Sequence, residues 1–128
     1  MNRDDIIRKM RETGFGPEDY WLQTGAALVM HGVREKTHDI DIGCTRALIQ
    51  KLAAHGCPYE DMPDGHRKYV VDEDIEASEE WGKGEVTLME GIPVVSLQDV
   101  VRVKQALGRE KDFRDIERIR AFLEQKNE

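Results

Sequence analysis

The chain holds only two cysteines, Cys44 and Cys57, with no CxxC spacing between them. Reduced thiols in a cytoplasmic protein are the expectation, and neither cysteine is placed as a nucleophile. No apolar run approaches the roughly 20 residues a membrane helix needs. The N-terminal Met1-Asn2-Arg3-Asp4-Asp5 lacks the apolar core of a signal peptide. Positive charge is also scarce: 19 Lys and Arg against 26 Asp and Glu leave a formal net charge of −7. Such a chain repels long nucleic acid on average, although a local basic rim can still hold one nucleotide. Four histidines and two cysteines without ligand spacing argue against zinc.

What is present is a polar globular composition, 39% hydrophobic and 35% charged, in 128 residues. That length gives one domain with its own core, residues 1–128, and not comfortably two. No repeat, low-complexity segment or linker interrupts it.

Ile6, Ile7 and Met10 recur at helical spacing, predicting a helix that stops near Gly14. Tyr20 to Gln23 reads as a strand, broken by Gly25, with a compact helix over Ala26 to Met30. Residues 38–43 read as a second strand. Leu48, Ile49, Leu52 and Ala53 mark the inner face of a helix ending at Gly56. Pro58 to Gly65 is turn-rich and reads as a loop. Lys68 to Val71, Ile75 to Ser78, Glu85 to Leu88 and Ile92 to Val95 are further strands. Ser96 and Asp99 form an acidic variant of a capping box before a helix that buries Leu97, Val100, Val101 and Leu107. A last helix presents Phe113, Ile116, Ile119 and Leu123. This order predicts an α/β (α+β) domain, a mixed β-sheet flanked by helices.

The densest chemical signal is Thr24-Gly25-Ala26 followed by Asp39-Ile40-Asp41-Ile42. On a strand, alternation sends Asp39 and Asp41 to one face and Ile40 and Ile42 to the core. Two neighbouring carboxylates repel unless a cation or a proton lies between them, and Mg²⁺ takes oxygen ligands readily.

Gly25-Ala26 … Asp39-Ile40-Asp41 resembles the signature of the nucleotidyltransferase superfamily of the DNA polymerase beta type. Gly25-Ala26-Ala27-Leu28, His31-Gly32, Arg34, Thr37 and the tail Ser96-Leu97-Gln98-Asp99, Lys104, Gly108-Arg109, Lys111-Asp112 and Asp115 look like the small bacterial nucleotidyltransferase-like proteins. The resemblance runs from Tyr20 to Leu123 and implies the nucleotidyltransferase fold. It also implies transfer of a nucleoside monophosphate from a triphosphate such as ATP to a hydroxyl acceptor on a small molecule or a protein, with two Mg²⁺ ions. By resemblance, Asp39 and Asp41 are catalytic metal ligands, and Glu76 is a third carboxylate that holds the second metal or acts as base. Asp74 and Asp72 are its rivals. Gly25, Ala26, Arg34, Lys36 and Lys104 are the expected nucleotide contacts. Arg109 and Lys111 either reach the cleft or pair with Asp112 and Asp115.

Ala26 stands where family members carry Ser or Gly, so one hydroxyl is missing, and the third acid is ambiguous. Both departures keep a second reading open: a binding or regulatory module on the same fold, antitoxin-like, acting through a protein partner. A chain this short favours a partner, a homodimer or a small acceptor.

Overall fold

The computed structural model describes residues 1–126. One mixed sheet of seven strands runs through the molecule in the order β3-β4-β5-β2-β1-β7-β6. Its strands are β1 Tyr20–Gln23, β2 Ile40–Cys44, β3 Tyr59–Asp61, β4 Arg67–Val70, β5 Ile75–Glu79, β6 Val86–Met89 and β7 Ile92–Val95. The helices are α1 Arg3–Thr13, α2 Thr24–His31, α3 Arg46–Ala54, α4 Leu97–Leu107 and α5 Glu110–Lys126. β2 is the middle strand; it pairs antiparallel with β1 and parallel with β5, and β1 pairs parallel with β7. The expected mixed sheet with flanking helices is what the chain forms. No helix among the described residues is long and apolar enough to cross a membrane.

Local signals set the helix ends. Asn2 and Asp5 complete a capping box on α1, and Gly14 closes it at φ 71°. Ser96 caps α4 by accepting from the Asp99 N–H. The core gathers where α2 packs on β1, β2 and β7 and is itself covered by α1 and α4. Leu22, Leu28, Ile40, Ile42, Ile75, Val94 and Val100 are fully buried there. Burying side chains of this size contributes about 1.5–3 kcal/mol each.

Three expectations need correction. The stretch read as the Pro58–Gly65 loop contains β3, an exposed three-residue strand held in a hairpin by β4. Its Tyr59 ring packs at a tilt against Tyr69, with centroids 5.6 Å apart, a cross-strand contact that leaves no periodicity in so short a segment. β2 starts at Ile40, so Asp39 lies just before the strand and not within it. In the tail, Phe113, Leu123 and Leu107 are exposed. The face that α5 turns inward instead carries Asp112, Asp115, Ile116 and Ile119. Two carboxylates can occupy a helix's inner face when cations meet them there, and α4 provides Lys104.

Candidate functional site

The middle of the sheet opens into a cavity of about 610 Å³. One wall is acidic. Asp41 on β2 is in register with Gln23 on β1 and with Glu76 on β5, so the Asp41 and Glu76 side chains leave the same face of neighbouring strands. Asp39 joins them at the entrance to β2, and all three line the cavity. Asp72 and Asp74 do not: β5 begins only at Ile75, and both carboxylates engage Lys9 of α1. Of the three rivals for the third acid, only Glu76 reaches this wall.

Burial raises the Asp41 carboxyl above its usual pKa, and the nearby charges of Asp39 and Glu76 raise it further. The Lys68 ammonium and a hydrogen bond from Thr24 pull it back. Thr24 Oγ1 donates to Asp41 Oδ2 at 3.2 Å. Thr24 adopts φ 44°, a left-handed conformation that is a genuine outlier for a β-branched residue and costs on the order of 1–3 kcal/mol.

Gly25 follows at the first turn of α2, facing the cavity. A Cβ on Gly25 would lie 2.6 Å from Thr37 Oγ1. The missing side chain lets the loop carrying Arg34, Thr37, His38 and Asp39 close over the helix start. Thr37 N–H donates to the Met1 carbonyl at 2.9 Å, tethering that loop to the N-terminal segment. Ala26, by contrast, is fully buried in the core, and Lys36 is exposed and outside the cavity lining. The geometry gives neither a place against a ligand in the cavity.

The opposite wall is basic. Lys104, expected at a phosphate, is buried and already paired: its Nζ lies 2.9 Å from Asp115 Oδ2 and 3.3 Å from Asp112 Oδ1. Arg109 grips Asp112 with two side-chain N–H donors, at 2.7 and 3.1 Å, and with its backbone N–H. Burial opposes ionisation of Asp112, but these bonds and the Lys104 charge outweigh it and hold its pKa below the usual range. Asp115 also faces Arg34 at 3.9 Å and Arg118 at 3.4 Å. The tail cluster is therefore an ion-pair network, and its outer side still lines the cavity. Lys111 and Arg114 also line the cavity, without an ion-pair partner among the described residues. Trp81 closes one side. Its backbone carbonyl accepts from Trp21 Nε1 at 2.8 Å, and Gln23 Nε2 donates to the next carbonyl, Gly82, at 2.6 Å.

Sequence reasoning named Thr24 in the Gly turn without giving it a role, and missed Lys68, Arg114 and Arg118. Arg114 and Arg118 carried a legible signal, because they follow Lys111 at helical spacing. Lys68 carried none, since its relation to Glu76 exists only through strand pairing.

Every oxygen donor on the acidic wall is a carboxylate or a hydroxyl, the ligand chemistry that suits Mg²⁺. Among the described residues no three His, Cys, Asp or Glu side chains converge as a ready-made metal cage. The donor set fits the ion in kind.

No protein-family model matches the chain, and no curated protein matches it. Among solved structures, it is similar to a candidate nucleotidyltransferase from Thermotoga maritima, with a TM-score of 0.59 and 17% identity. The match covers 98% of this chain and 96% of that one. Identity this low speaks for the fold alone. Seven mixed strands and five helices, superposable end to end on that structure, give this chain a nucleotidyltransferase-like fold.

Proposed function

We propose that the chain transfers a nucleoside monophosphate from a nucleoside triphosphate to a hydroxyl acceptor with the help of Mg²⁺. The observation that carries this reading is the two-walled cavity: carboxylates from the centre of the sheet face a dense array of cations, in a chain of net charge −7. Asp39 and Asp41 would hold the ion, with Thr24 orienting Asp41 through its hydroxyl. Mg²⁺, when bound, neutralises phosphate charge and acidifies the acceptor hydroxyl. The Gly25 turn exposes the start of α2, whose free N–H groups are suited to phosphate oxygens. Arg109, Lys111 and Arg114 neutralise the triphosphate from the other wall. The acceptor hydroxyl gives its proton to solvent and its oxygen forms a bond to the α-phosphorus as the bond to pyrophosphate breaks, and positioning plus charge neutralisation supply most of the catalysis.

A second reading keeps the fold but not the turnover, as a binding or regulatory module with a protein partner. It draws on the absence, among the described residues, of a preformed metal cage and on the cations already paired within the chain. Thermal unfolding with each triphosphate, with and without Mg²⁺, separates the two. A triphosphate at a hundred times its dissociation constant stabilises by about 2.7 kcal/mol, which is a rise of about 10 °C for a chain of this length. The transferase reading expects a Mg²⁺-dependent rise that is lost in Asp39→Asn/Asp41→Asn. No rise with any triphosphate, or an equal rise in the double variant, removes it.

A further inference from the structure

Lys68 lies on β4 opposite Ser78, and Glu76 lies two residues away on the facing strand, opposite Val70. In an antiparallel pair such diagonal neighbours share a face and long side chains reach across. The Lys68 ammonium sits 3.1 Å from Glu76 Oε2. Both side chains line the cavity beside Asp41, and both are only partly exposed, at 28% and 36%. The chain's own cation therefore occupies the carboxylate that a second metal ion would need. Charge balance agrees. Asp39, Asp41 and Glu76 together with Lys68 leave two negative charges, the charge of one divalent cation.

We propose that Lys68 replaces one of two metal ions in this cavity, so that the chain binds a single divalent cation on Asp39 and Asp41 while Glu76 serves Lys68. This rests on the metal-site reading above. It makes Glu76 a positioning residue for an ammonium instead of a metal ligand. A fixed ammonium carries half the charge of Mg²⁺ and has no open coordination position. It can lower the charge of the wall but cannot bind a phosphate oxygen as a Lewis acid. The Lewis-acid contribution of this site then comes from the single ion.

The test is Mn²⁺ titration of the full chain, followed by the free-ion electron paramagnetic resonance signal, which needs no turnover. Wild type should bind one ion per chain, and Asp41→Asn should lose it. Glu76→Gln should keep the one ion but hold it about tenfold more weakly, since the wall loses a negative charge beside Asp41 and leaves Lys68 unpaired. Lys68→Met keeps the apolar stem and removes the charge. It should gain a second ion, bound at least about tenfold more tightly than any second ion in wild type, because a unit charge this close is worth that much or more at a protein surface. Lys68→Met/Glu76→Gln should return to one. Two ions in wild type, or one ion in Lys68→Met with an unchanged melting temperature, overturns the proposal. If Lys68→Met fails to fold, complete absence of a bound ion in Glu76→Gln overturns it. Failure of the underlying reading looks different: no ion in either wild type or Lys68→Met, or an ion that survives Asp41→Asn.

Discussion

Lys104→Met removes a buried ammonium, 6% exposed, from between Asp112 at 0% and Asp115 at 10%. Asp112 is left well served, because Arg109 keeps three hydrogen bonds to it. Asp115 loses its 2.9 Å partner and keeps only Arg118 at 3.4 Å and Arg34 at 3.9 Å. Removing one member of a buried pair costs about 3–5 kcal/mol, mostly as the penalty on the stranded charge. The surviving partners place this case at the low end, about 3 kcal/mol by the same measure. Unfolding entropy for this chain length is about 0.27 kcal/mol/K, so the melting temperature should fall by about 11 °C. Circular dichroism melts at pH 7 read this directly. The drop should persist in 1 M salt, since a buried pair is screened little. Lys104→Met/Asp115→Asn should recover more than half of it by removing the stranded charge. A fall below about 3 °C would place Lys104 among surface pairs of small worth and refute the argument.

Two other substitutions probe the acidic wall. Burial lifts the pKa of Asp41, so folding favours its protonated form, and its ionisation costs stability as pH rises from the ordinary carboxylate range through the raised value. Asp41→Asn should therefore melt above wild type at pH 7, with the margin closing as pH falls from the raised value to about 4; an Asn variant that melts lower at pH 7 contradicts this. Gly25→Ala drives a Cβ against Thr37 Oγ1 and should cost about 1–3 kcal/mol, with Thr37→Ala in the same chain restoring part of the loss. An unchanged melting temperature for Gly25→Ala would mean the loop moves aside freely.

Much of this architecture was legible because single residues announce it. Gly14, Gly32 and Gly108 end helices in left-handed conformations, and Ile40 and Ile42 mark the buried side of the middle strand. The spacing from Gly25 to Asp41 pointed to a shared site, and both residues do line one cavity. What stayed hidden depended on pairing between distant segments. The apolar neighbours Ile75 and Ala77 favour Glu76, but Asp72-Glu73-Asp74-Ile75-Glu76 by itself leaves Asp72 and Asp74 as rivals to face the cavity. That is decided by where β5 begins and by Lys9 holding Asp72 and Asp74. Phe113 and Leu123 looked like core because apolar periodicity was the guide. The inner face of α5 is set instead by charge, through Lys104, Asp112 and Asp115. Asp99 shows the same limit. Its carboxylate does not reach back to the Ser96 N–H, as a full capping box requires, but accepts from the Ser96 hydroxyl and from the Glu85 N–H across a loop.

The middle position of β2 also determines how the molecule opens. Asp41 lies on a strand with three others on each side, joined in parallel to a partner that follows more than thirty residues later in the chain. Local opening of such a strand must break ladders on both sides. Its backbone amides should therefore exchange with solvent deuterium only through global unfolding, while the outer strands β3 and β6 exchange by fraying. Pairing across so long a loop also forms late in folding, because closure entropy opposes it until other contacts exist. The acidic wall is thus assembled with the last cooperative step of folding, and partly folded chains carry its aspartates without the cavity that makes use of them.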